Sequence, residues 1–290
     1  MSVPDEPAPM SDAAPLVFNG ERYHPEIPRE ISYEHWHRYA FALDLARGRH
    51  VLDAACGEGY GAALLARTAE SVLGVDLSSE AVEHAQARYG QSRLRFRQGD
   101  VRTLDGVEDA SMDLVVSFET LEHLADHDAL LSAFSRVLKP EGLLLISTPD
   151  RHTYTDLTGE QNPHHVRELY REEFEALLSR HFARHRLYGQ RVVTHSMLWR
   201  LDGGTGATHV FTQDGDDVFG GMRALPMYHV AVCAKRGESL AGLPALSCFS
   251  DAQQSVFAHY HQVIRDLLAT DRYALTLRER LRAAGLPDGP

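Results

Sequence analysis

From residue 50 onward, strand-like runs of seven to ten residues alternate with amphipathic stretches of 9–15 residues. That alternation constrains the fold more than any other feature. The strand-like runs are HVLDAAC (50–56), SVLGVDL (71–77), LRFRQGD (94–100), MDLVVSF (112–118), GLLLIST (142–148), RHRLYGQ (184–190) and MYHVAVCAKR (227–236). Between them lie helix-like segments at 61–69, 79–89, 125–138 and 168–182, with a further helix over 31–47. Strands alternating with helices predict an α/β fold, a Rossmann-like doubly wound sheet with helices on both faces. In such sheets ligands bind at the carboxyl ends of the strands.

Those ends carry the chemistry. VLDAACGEGYG (51–61) places Gly57, Gly59 and Gly61 between the first strand and its helix, where backbone N–H groups are unpaired and a ligand can approach closely. A glycine turn alone is shared by many nucleotide-cofactor folds. Three aspartates sharpen it. Asp53 precedes the glycines, Asp76 closes the second strand, where it can accept hydrogen bonds from two ribose hydroxyls, and Asp100 closes the third, near an adenine amino group. A carboxylate beside the turn repels pyrophosphate, which argues against a dehydrogenase. Acidic groups suit a cofactor carrying a sulfonium and an ammonium, namely S-adenosylmethionine.

The chain resembles the class I S-adenosylmethionine-dependent methyltransferases over about residues 31–236, on VLDAACGEGYG, GVDLS, QGDV, DLVVSFETLEHL and LKPEGLLLISTP. The resemblance implies seven strands with the last antiparallel. It implies a methionine moiety against Asp53, Ala55, Gly57 and Gly59, a ribose at Asp76 and Leu77, an adenine bordered by Asp100 and Val101, and Phe118 beneath the methyl donor. The stretch GERYHPEIPREISYEHWHRYAFA is similar to the entry segment of a subgroup encoded with sugar-polymer genes, with Arg22, Tyr23 or Tyr33 near the methionine carboxylate. His35 and His37 in it point to opposite sides of a helix and make a poor chelating pair.

FETLEHL (118–124) puts Glu119, Glu122 and His123 at i, i+3 and i+4, one face of a helix, just where the methyl is expected. Two carboxylates and an imidazole form a half-site for a divalent cation, and oxygen-rich ligation favours Mg²⁺ or Mn²⁺. The next strand end leads into a loop bearing His164 and His165. The arrangement FETLEHL, STP, HVREL resembles small-RNA 2′-O-methyltransferases, in which two glutamates and two histidines hold a metal. This resemblance selects His165 as fourth ligand, because Glu168 then matches an acidic position. The first half also resembles the ubiquinone-biosynthesis O-methyltransferases. Two other readings stand beside the metal: His123 or His165 as general base without it, or carboxylates placed by a helix dipole.

Charge bears on the acceptor. The net charge of −12 opposes a phosphate-backbone footprint, so no nucleic acid is expected. The expected reaction is O-methylation of a sugar hydroxyl in a glycan or glycosylated metabolite, on a small-molecule or oligosaccharide acceptor. The alternative is a phenol or catechol acceptor served by a histidine base, and a non-catalytic binding module is a third class. Three scattered cysteines, Cys56, Cys233 and Cys248, fit reduced thiols in a cytoplasmic protein. No apolar stretch approaches the roughly 20 residues that span a bilayer.

The expected organisation is a disordered leader (1–18), a cofactor-covering segment (19–48), a methyltransferase domain (49–236) and a helical extension (237–290). Within the domain, 191–226 reads as an acceptor-side insertion, with His195, Trp199, Arg200, Asp202 and Asp214 near the acceptor. Two helices at about 251–269 and 273–285 carry apolar faces suited to packing on the domain or to a homodimer.

Overall fold

A computed structural model describes residues 30–202, 207–236 and 240–287. The leader and Tyr23 lie outside the described residues. The chain opens with α1 (Glu30–Ala46) and then alternates: β1 (His50–Ala54), α2 (Tyr60–Leu65), β2 (Ser71–Asp76), α3 (Ser79–Tyr89), β3 (Leu94–Gln98), β4 (Met112–Ser117), α4 (His127–Val137), β5 (Leu138–Pro149), α5 (Arg171–His181) and β6 (Arg184–Gln190). A small hairpin, β7 (Phe211–Asp214) and β8 (Asp217–Gly220), precedes β9 (Tyr228–Ala234) and α6 (Ser255–Ala283).

The main sheet has seven strands in the order β3-β2-β1-β4-β5-β9-β6. β1 to β5 pair in parallel, and β9 runs antiparallel to both neighbours, as the resemblance implied. Alternate residues of one strand feed opposite faces. Val51 packs in a cluster with Tyr39, Ala42, Leu65 and Ala85, while Leu52 packs with Leu130, Phe134 and Phe174 on the other side. Coverage on both faces explains why β1 and β9 read as nearly unbroken apolar runs. Helix starts are fixed locally: Ser78 Oγ accepts from Ala81 N at 3.2 Å and Asp126 Oδ1 from Ala129 N at 2.9 Å. Such caps contribute about 1 kcal/mol each.

The strand order reverses direction at β1 and β4, so their carboxyl ends form a crevice. The first turn of the expected 168–182 helix is absent, because Glu168 is drawn to the site below and α5 starts at Arg171. The two expected C-terminal helices are one continuous helix of 29 residues, α6. Segment 191–200 is irregular and exposed, and His195 is exposed with it.

Candidate functional site

The glycine turn leaves β1 through left-handed backbone. Ala55 has φ 64°, Gly57 52° and Gly59 82°. A side chain in that region costs about 1–2 kcal/mol, so Ala55 is held by its surroundings. Its N–H and that of Cys56 both donate to Val75 O, at 2.8 and 3.1 Å. Two glycines serve packing: a Cβ on Gly59 would meet Ala85 and Phe96 at 2.7–2.8 Å, and one on Gly61 would meet the Tyr39 ring at 1.9 Å. Their small size lets α3 and α1 close over the turn.

The three aspartates have distinct settings. Asp76 accepts from Gly57 N through Oδ2 (2.8 Å) and from Ser78 N through Oδ1 (2.9 Å), which fixes the carboxylate and leaves further lone pairs. Asp53 is 1% exposed, and both its oxygens lie 3.2 Å from the Tyr39 hydroxyl that donates to them. Burial pushes its pKa up to about 7, Tyr39 opposes the shift and Asp76 adds to it. Asp100 is gripped by the Arg102 guanidinium at 2.6 and 3.0 Å, which holds its carboxyl below the usual range. Leu77 is exposed beside Asp76, Val101 is buried, and buried Phe118 meets Tyr39 edge-on at 5.0 Å. Tyr39 therefore bridges Asp53 and Phe118 from α1. Carboxylates at the turn and the second strand end fit a cationic sulfonium donor with a ribose, and oppose pyrophosphate.

At the end of β4 the chain does not continue as an α-helix. Glu119 has φ 51°, and a single 3₁₀ turn follows at Leu121–His123. That turn is laced to the histidine loop, since Glu122 O accepts from Val166 N (2.8 Å) and Arg167 N (3.0 Å). Glu122, His123 and His165 then converge, with one ligand atom from each lying within 4.8 Å of the others. His123 Nδ1 faces His164 O at 3.0 Å, so its proton sits there and Nε2 points towards Glu122 Oε1, 4.0 Å away. His165 Nδ1 donates to Glu168 Oε1 at 2.6 Å, and its Nε2 accepts from the Asn162 amide at 3.0 Å. Both imidazoles are thus oriented by oxygen acceptors, as metal-binding histidines commonly are.

Glu122 is wholly buried. Thr148 donates to its Oε2 at 3.2 Å, while Oε1 has no hydrogen-bond partner. Burial first, and the nearby Glu119 second, push its pKa well up. A buried oxygen without a donor, beside His123 Nε2 and a His165 Nε2 that the neutral Asn162 amide would release, is a donor set that fits a divalent cation. Glu119 does not join the cluster. Its Oε1 accepts from Ser147 Oγ at 2.6 Å and lies 3.2 Å from Arg38 Nη1.

Residues 52–146 match the family model described as "Methyltransferase domain". The "Probable S-adenosylmethionine-dependent methyltransferase" of Mycolicibacterium smegmatis is 40% identical over 181 residues, 61% of this chain and 68% of that protein. The chain belongs to the S-adenosylmethionine-dependent methyltransferases. A "Ubiquinone biosynthesis O-methyltransferase" of Paracidovorax citrulli is 35% identical over 109 residues, 37% of this methyltransferase and 46% of that protein. The crystal structure of the YcgJ protein from Bacillus subtilis shares the fold, with a TM-score of 0.52, 21% identity and coverage of 70% of this chain and all of that one.

Sequence reasoning for this methyltransferase placed its candidates at strand ends, where the structure has them, and missed the residues that α1 and the histidine loop bring beside them. Arg38, Glu34 and Asn162 carried no motif. Tyr39 carried no motif either, and its hydroxyl on Asp53 is a tertiary fact. His35 bonds Tyr60 Oη at 3.1 Å and His37 bonds Ser247 Oγ at 2.9 Å, so the two do turn apart as their spacing required.

Proposed function

We infer that this methyltransferase methylates a hydroxyl of a sugar in a glycan or glycosylated metabolite, with a divalent metal, Mg²⁺ or Mn²⁺, assisting. The convergence of Glu122, His123 and His165 around an unpartnered buried oxygen, next to Phe118, carries this reading. A cation held there would lower the pKa of an alcohol and align two neighbouring oxygens for attack. The residues' own work is orientation. Thr148 fixes Glu122, the His164 carbonyl and Glu168 fix the imidazoles, and Asp76, held by Gly57 N and Ser78 N, keeps lone pairs for the donor's ribose. Net charge of −12 supports a neutral acceptor over a nucleic acid.

A second reading has its own observation. The pair His165–Glu168 at 2.6 Å, with both side chains 8% exposed, is a histidine–carboxylate dyad able to take a proton from a phenol or catechol without metal. The likeness to an enzyme named for ubiquinone biosynthesis favours such an acceptor. Radiolabelled methyl transfer to panels of glycosides and catechols, with and without EDTA, separates the two. The metal-assisted reading predicts transfer to glycosides, abolished by EDTA and restored by Mn²⁺. Transfer to catechols that EDTA leaves unchanged would reject it.

A further inference from the structure

We propose that Arg38 withdraws Glu119 from the cation site, leaving Glu122, His123 and His165 as an open three-ligand set; this rests on the metal-assisted reading above. The motif alone would make Glu119 a fourth ligand. The structure gives it another partner.

Arg38 is 2% exposed and, among the described residues, the bulkiest of the fully buried side chains. Its guanidinium is fixed on three sides. Nε donates to Gln190 Oε1 at 2.7 Å, the plane lies 4.5 Å over the Tyr228 ring, and Nη1 stands 3.2 Å from Glu119 Oε1. Gln190 is itself tied back to α1, donating to Glu34 O at 2.9 Å. Glu119 is fixed from the other side, since Ser147 Oγ donates to Oε1 and accepts from Glu119 N at 3.2 Å. For Glu119 to turn to the cluster, a fully buried guanidinium whose Nη atoms have no hydrogen-bond acceptor would give up its ion pair and keep only the more distant attraction of Glu34, and weakening a buried pair in this way is strongly unfavourable.

The consequence is chemical. Three protein ligands leave positions for the acceptor's oxygens, as a catalytic metal site requires, whereas a second carboxylate would close one of them. Two imidazoles with one carboxylate also form a nitrogen-richer set than four mixed ligands, which suits Mn²⁺ better than Mg²⁺. Manganese is therefore the probe. Arg38 is a positioning residue here, acting only through Glu119.

The test is manganese titration of the purified full-length protein, following free Mn²⁺ by electron paramagnetic resonance and bound water by proton relaxation, with thermal melting of every variant. Glu119→Gln should change the Kd by less than about threefold, and Glu122→Gln should raise it roughly 100-fold. Arg38→Met, which frees Glu119, should tighten binding by about tenfold and remove one bound water. Arg38→Lys keeps the charge, and should keep the wild-type Kd and water count should Arg38→Met fail to fold. A loss at Glu119→Gln as large as at Glu122→Gln overturns the proposal, as does an Arg38→Met protein with unchanged Kd and hydration. Binding by Arg38→Met but not by wild type would mean that the ion pair closes the site, also contrary to the proposal. No binding by either rejects the metal-assisted reading itself, and the inference with it.

Discussion

Asp53 and Glu34 are carboxyl groups that the fold takes out of water, and burial raises each to about 7 from ordinary values of 3.8 and 4.5. Between those limits the folded chain holds protons that the unfolded chain has released. These two groups therefore make stability fall as pH rises from about 4 to 7, with no further change above that window. Asp53→Asn cannot titrate, so the difference in urea midpoint between pH 5 and pH 8 should shrink in that variant; an unchanged difference contradicts the assignment. Asp53, Asp76 and Asp100 were legible in the sequence because each sits at a fixed offset from an apolar strand. Arg38 was not, because an arginine within a helix ordinarily faces solvent, and only the packing of α1 against Gln190, Tyr228 and Glu119 reverses that.

Elements were legible to the extent that local pattern decides them. Short apolar runs and, at the edge strands β3 and β6, partly exposed segments bounded by turns placed every strand of the main sheet. The strand-end motif was half legible. Its spacing brought Glu122 and His123 together, but the left-handed backbone at Glu119 and the 3₁₀ turn after it turned the first carboxylate away. At the C-terminus two helices were expected, at about 251–269 and 273–285, yet 255–283 contains no glycine or proline and one helix runs through it. None of α6 is buried, although Phe257, Ile264, Leu267 and Leu275 are more than half exposed along it. Deleting residues 255–290 should shift the melting temperature by less than about 2 °C. A drop beyond about 5 °C in a thermal melt would mean that this helix supports the sheet.

At the scale of the whole molecule, topology puts the site where it is. Reversal of strand order at β1 and β4 opens a crevice at their carboxyl ends; the glycine turn fills one side and the Glu122 cluster the other. α1 spans both, with Tyr39 on Asp53 and Arg38 on Glu119, so a single helix links donor and acceptor halves. Among the described residues no helix is long and apolar enough to cross a membrane. Coverage of both sheet faces followed from the sequence pattern and the antiparallel last strand from the family resemblance, while the docking of α1 depended on side-chain fit that no spacing encodes. The central claim is a divalent cation beside the methyl donor. It is tested most directly by anomalous diffraction from crystals grown with S-adenosylhomocysteine and Mn²⁺. The account predicts one manganese peak held by Glu122, His123 and His165; a fully occupied donor site with no manganese density beside those three side chains would contradict it.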